Sequence, residues 1–190
     1  MHRSTLLIAF GALIIAPAAS AQDVQRMAQP STRASATVSL TPARGVEGVE
    51  PATIHIDYGQ PHLRGRRLHT PDLVPFDSVW RFGANESTSI ETGVDLELGG
   101  KRIAKGKYSL YALPTAAGWT LIVNSNTGQW GTEYAPQYDV ARIALQKQTL
   151  ATPVESFRVN LVPSREPGAP AGKLIAAWGD VELAADWRVP

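Results

Sequence analysis

Val94-Asp95-Leu96-Glu97-Leu98-Gly99-Gly100-Lys101-Arg102-Ile103 decides the fold of this 190-residue chain. Val94, Leu96 and Leu98 alternate with Asp95 and Glu97, so apolar side chains share one face and acids the other. That is the period of a half-buried strand rather than of a helix. Gly99-Gly100 supplies the reversal, and the chain returns through Arg102 and Ile103 as the second arm of a hairpin.

Working outward, the same rule repeats. From Lys107 to Leu113, Tyr108, Leu110 and Ala112 alternate with Ser109 and Tyr111; Pro114 is expected to stop the strand, and Trp119, Leu121 and Val123 resume facing inward after Gly118. Asn124-Ser125-Asn126-Thr127-Gly128 makes the next turn. Further strands are expected over Ala34 to Leu40, Thr53 to Tyr58, Val79 to Phe82, Ser87 to Glu91, Val140 to Leu145, Ser156 to Val162, Leu174 to Trp178 and Val181 to Ala185, about ten short strands in all. No stretch sustains an amphipathic helix, and the 14 prolines interrupt most candidates. The expected class is all-β, an antiparallel β-sandwich or a jelly-roll-like fold, which the strand count and the long Pro-rich connections Gln60 to Pro75 and Pro163 to Lys173 suit better than an up-and-down barrel.

The amino terminus reads as a secretory signal peptide over residues 1–21. Met1-His2-Arg3 is basic, Leu6 to Ala16 is apolar and too short to span a bilayer, and Ala19-Ser20-Ala21 offers a cleavage point. Residues 22–35 are polar and aperiodic and read as a flexible linker, which leaves 36–190 as one β-sandwich domain. The expected location is periplasmic or secreted, with no membrane insertion after cleavage. There is no cysteine, so neither disulfides nor thiol chemistry is available. Lysine and arginine number 18 against 17 acids; with Arg3 removed alongside the signal, the balance is even, and no nucleic-acid partner is expected. Arg64-Gly65-Arg66-Arg67 and Lys101 to Lys107 read as solvated basic clusters.

The densest polar signal is Val79-Trp80-Arg81-Phe82-Gly83-Ala84-Asn85-Glu86. Adjacent strand residues face opposite sides, so Trp80 is expected in the core and Arg81 on the other face. Glu86 is then expected to pair with Arg81 while Asn85 holds the turn, which makes the group either a structural lock or a site for a ligand carboxylate or hydroxyl. Thr127-Gly128-Gln129-Trp130-Gly131 places an amide beside an aromatic in a loop, as saccharide sites do. The candidate ligand-binding set is Arg66, Trp80, Arg81, Asn85, Glu86, Gln129 and Trp130, with Trp130 as the stacking surface and an unknown small molecule or saccharide as partner.

His55, Asp57, His62, His69 and Asp72 invite a metal, but no register forces the later histidines onto the face of His55 and Asp57, so neither metal nor cofactor is expected. Nucleophile-elbow, zinc-protease, phosphate-loop and dinucleotide motifs are all missing, and no catalytic residue is assigned. The expected role is a non-catalytic ligand-binding or structural envelope protein. The alternative is a hydrolase acting on envelope polysaccharide, metal-assisted by the histidine segment, in which Glu86 works with Glu133 or Asp139.

Four stretches carry a family resemblance: Tyr58-Gly59-Gln60-Pro61 with Gly65-Arg66; Leu73-Val74-Pro75 leading to Val79-Trp80-Arg81 and Gly83-Ala84-Asn85-Glu86; Gly100-Lys101 through Gly106-Lys107-Tyr108-Ser109-Leu110; and Asn124 through Gln129-Trp130-Gly131. In order and spacing, over about residues 50 to 186, the chain resembles the bacterial domain of unknown function 2911. The resemblance implies an exported, β-rich single domain and brings no reaction, ligand or catalytic residue with it.

Overall fold

The computed structural model describes residues 30–190, so the signal-peptide reading and most of the linker reading lie outside the described residues. Among the described residues nine antiparallel strands form one sheet: β1 (Arg33–Leu40), β2 (Ala52–Gly59), β3 (Thr88–Thr92), β4 (Leu96–Leu98), β5 (Lys101–Ile103), β6 (Gly106–Thr115), β7 (Gly118–Asn124), β8 (Asp139–Pro163) and β9 (Ala171–Arg188). Their spatial order is β1-β2-β3-β6-β7-β8-β9-β4-β5. A single turn of 3-10 helix at Pro136–Tyr138 is the sole helical element among the described residues.

The all-β antiparallel reading holds, but the strand inventory differs in instructive ways. β1 opens at Arg33, so residues 33–35 of the expected linker are strand. Val79 to Phe82 is not a strand; only Trp80 bridges, to Ala112, because Phe82 turns to φ 47° and breaks the extended path. Pro114 does not end its strand but sits within β6 opposite Trp119. Four expected strands merge into two long ones of 25 and 18 residues.

Those two long strands bend where the sequence suggests a break. Gly179 adopts φ 59°, a left-handed value that glycine takes without penalty, and β8 answers with register shifts between Thr149 and Val154 and between Val154 and Arg158. At the second shift β8 changes partner: Leu63 N–H donates to the Glu155 carbonyl and Phe157 N–H to that of Pro61. β9 thus folds back until its ends touch. Lys173 Nζ lies 2.6 Å from Asp186 Oδ1, and Val189 N–H donates to the Pro170 carbonyl at 2.8 Å. β1 lies against β8 without pairing to it, so the sheet curls over a single core.

Alternation decides what enters that core. Ile54 and Ile56 of β2, Leu110 and Ala112 of β6, and Trp119, Leu121 and Val123 of β7 are buried in it. Trp80 is its aromatic hub, stacked on Trp178 with centroids 5.7 Å apart and edge-on to Phe157 at 5.1 Å. With no disulfide available, this burial, at roughly 25 cal/mol per Å² of apolar surface, is the main stabilising term.

Candidate functional site

The other face of the curled sheet is polar, for the same period-two reason. Register sets Ser35 opposite Asp57, Asp57 opposite Ser89, Ser89 opposite Ser109, and Ser109 opposite Asn124, a polar row crossing five strands. The next row runs Thr37, His55, Glu91, Lys107. Directly opposed residues project to the same side, so these groups share one surface.

Two patches on this face behave differently. One is covered by the segment after β7. Tyr111, opposite Ile122, is almost fully buried there, and Gln129 Nε2 donates to Tyr111 Oη at 2.7 Å and to the Asn126 carbonyl at 3.2 Å. Gln129 Oε1 is buried without a partner. Arg81 is half-buried beside this group and donates to the Asn85 carbonyl at 3.2 Å, the same oxygen that accepts the Gly131 N–H. Burial lowers the Arg81 pKa from its ordinary value, with Tyr111 acting in opposition. The Tyr111 pKa is raised, chiefly by burial; the Gln129 hydrogen bond works against the shift and the Glu133 charge adds to it. Close by, Tyr134 donates to Asp139 Oδ2 at 2.7 Å and accepts from Arg142 Nη2 at 2.8 Å.

The second patch is open. Arg33, Asp57, Glu86, Ser87, Ser89, Lys107 and Gly128 line a cleft of about 350 Å³, within the range of roughly 300–1,000 Å³ that small-ligand sites occupy. Arg33 Nε donates to Asp57 Oδ1 at 2.8 Å, and its Nη2 makes a second, short contact to the same carboxylate. Arg33 Nη1 lies 3.6 Å from Glu86 Oε2, and the Glu86 side chain is 60% exposed. Backbone pairing of Glu86 with Trp130, reinforced by Ser87 N–H donating to the Gln129 carbonyl, brings the Trp130 loop alongside. Trp130 is 47% exposed.

The seven candidate residues therefore separate. Glu86 lines the open cleft, and backbone pairing holds Trp130 beside it, while Gly128 is the residue of that loop that lines the cleft itself. The ion pair expected between Arg81 and Glu86 does not form, because the backbone turns at Phe82 and Asn85, both at positive φ, and Glu86 emerges on the side of Arg33. The Asn85 side chain does not bond the backbone of its own turn but ties it to the segment before β1, its Nδ2 donating to the Ser31 carbonyl at 3.1 Å. Trp80 is core, and its Nε1 donates to the Gly83 carbonyl. Gln129 serves the covered patch. Arg66 lies in another part of the fold, donating to the carbonyls of Leu63 and His62. Arg33, Ser89 and Lys107 line this cleft without having been in the candidate set, and Asp57, weighed in the sequence only as a metal ligand, lines it too; the polar side of each strand's alternation was the available signal.

Among the described residues no three histidine or acidic side chains gather at metal-ligating range. His55 Nδ1 meets Thr37 Oγ1 at 2.7 Å, His62 Nδ1 meets Ser156 Oγ at 2.7 Å, and His69 stacks on Phe76. Among the described residues no helix is long and apolar enough to cross a membrane.

A family model described as Protein of unknown function (DUF2911) matches residues 41–186. No curated protein and no solved structure matches the chain.

Proposed function

We propose, from the premise that the chain belongs to the DUF2911 family of proteins of unknown function, that it is an exported, non-catalytic binding protein whose polar sheet face takes a saccharide. One observation carries the reading: an exposed Trp130 is fixed by backbone pairing opposite Glu86, which itself lines the cleft that Arg33, Asp57 and Lys107 share. An indole face stacks on the C–H face of a sugar ring, while carboxylates accept from its hydroxyls and guanidinium and ammonium groups donate to its oxygens. Serines along the floor add groups that both donate and accept. Secretion, as the amino-terminal sequence implies, brings such a face to envelope glycans.

The hydrolase alternative draws less support. Asp139, one partner it gives Glu86, accepts hydrogen bonds from Asn124, Tyr134 and Arg142 in the covered patch. The acid that does converge with Glu86 is Asp57, and Arg33 bridges the two.

Titration with a panel of N-acetylated chito-oligosaccharides, followed by indole fluorescence and calorimetry, tests the proposal. Saturable binding that Trp130→Ala and Glu86→Gln each abolish supports it. Binding that survives Trp130→Ala, or no saturation by any member of the panel, overturns it. Release of shortened oligosaccharides, lost in Glu86→Gln, would move the assignment to the hydrolase.

A further inference from the structure

The basic cluster Arg64-Gly65-Arg66-Arg67 lies on the loop between β2 and β3 and takes no part in the sheet-face cleft. It faces the bend of β9. Leu68 Cβ and Leu63 Cδ1 sit 3.5 and 3.9 Å from where a Cβ on Gly179 would stand, so the loop is seated against the corner. A cleft of about 430 Å³ opens between loop and corner, lined by Leu63, Leu68 and Pro153 on its apolar side and by Arg66, Arg67 and Asp180 on its polar side. His69, whose ring stacks on Phe76 with centroids 4.3 Å apart, lines it as well.

We infer that this cleft is a second binding site, for a small organic oxyanion: a carboxylate or a phosphate monoester that carries an apolar group. Arg66 is already arranged for it. Its Nε donates to the Leu63 carbonyl at 2.9 Å and its Nη2 to the His62 carbonyl at 2.8 Å, which fixes the guanidinium plane and leaves Nη1 without a partner among the described residues. Arg67 is exposed and has neither a hydrogen bond nor an ion pair among the described residues. The acid that crosses to this loop, Glu155, is engaged by backbone, accepting the Arg64 N–H at 2.7 Å. Among the described residues Asp180 makes no ion pair. Two guanidiniums against one carboxylate leave the lining positive. A planar fork held by its own loop matches the oxygens of a carboxylate or phosphate without first losing side-chain freedom. Leu63, Leu68 and Pro153 add a wall that favours an aryl or alkyl group over a bare ion.

The test is a titration of the full chain with phenyl phosphate and, separately, with 3-phenylpropionate, following the arginine Nε–H resonances by NMR; 2-phenylethanol is the uncharged control. The inference expects saturable shifts at Arg66 with at least one anion and none with the alcohol. Saturation by one anion alone identifies which oxyanion the site takes. Arg67→Ala, an exposed change that leaves the loop's hydrogen bonds in place, should weaken binding by about tenfold, and Asp180→Asn should tighten it. Trp130→Ala should leave it unchanged, which separates this site from the sheet-face cleft. Failure of both anions to saturate, an equal response to 2-phenylethanol, or undiminished affinity in Arg67→Ala overturns the inference.

Discussion

The covered patch around Arg81, Tyr111 and Gln129 and the open cleft around Arg33, Asp57 and Glu86, with Trp130 alongside, sit on one sheet face and draw on the same residue types, yet they have opposite fates. In the first, the donors of Arg81 and Gln129 are engaged by backbone carbonyls and by the Tyr111 hydroxyl under a loop. In the second, a guanidinium, two carboxylates and an indole stay accessible. Polar composition does not make a site; what matters is which groups the backbone leaves unoccupied.

The sharpest way to break that contrast is to force the covered patch apart. A Cβ on Gly131 would stand 2.5 Å from Arg81 Cδ and 2.6 Å from the Asn85 carbonyl oxygen, and the second of these is backbone that cannot step aside. Gly131→Ala is therefore expected to destabilise by about 3 kcal/mol, read by chemical denaturation, and to displace the Trp130 loop. Stability unchanged by this substitution would mean that the loop floats free of Arg81.

Arg81→Ala comes next, at about 1–2 kcal/mol, from the lost packing of its stem and the lost hydrogen bond to Asn85. A drop in stability with saccharide affinity retained keeps Arg81 on the structural side of the comparison. The reverse outcome would make it a ligand residue.

A third prediction uses pH. Burial first, with the Asp139 hydrogen bond and charge adding, pushes Tyr134 up to about 12, against about 10 in an unfolded chain. The folded state holds this proton more tightly, so the stability it contributes is complete below about pH 10 and is lost as pH rises through about 12. Tyr111 shifts in the same direction. Alkaline unfolding should show this decline, and Tyr134→Phe should flatten it. An unchanged alkaline limb in that variant would assign the decline to Tyr111.

Smallest in stability is Arg33→Ala, at up to about 0.5 kcal/mol, because its partners are solvated. Its effect should fall on ligand affinity instead, which calorimetry reads. If stability suffers as much as in Arg81→Ala, the open cleft is a second lock.

The sheet itself was legible because alternation at positions such as Leu96, Leu98, Leu110, Ala112, Leu121 and Val123 is a local property that burial respects. The break between Trp178 and Val181 was legible too, though its meaning was not: it marks a corner in one strand rather than a gap between two, since the β8 partner bulges to follow Gly179. Phe82 at positive φ left no trace in the pattern, and the Arg81 and Glu86 pairing failed for that reason. Arg33 and Lys107 were missed because their neighbourhood depends on register across distant strands: 24 residues separate Arg33 from Asp57, and more than 50 separate it from Glu86. Such pairings are a property of topology, which a one-dimensional reading of periodicity does not contain.

The return of β9 upon itself sets a timetable for the chain. The β4–β5 hairpin joins the rest of the sheet through Glu97 opposite Arg188 and Leu98 opposite Trp187. A nascent chain thus carries that hairpin without its strand partner while roughly 85 further residues are made, at roughly 5–20 residues per second. Closure of the sheet waits on β9, so the partner edge of that hairpin stays open until this strand has been made.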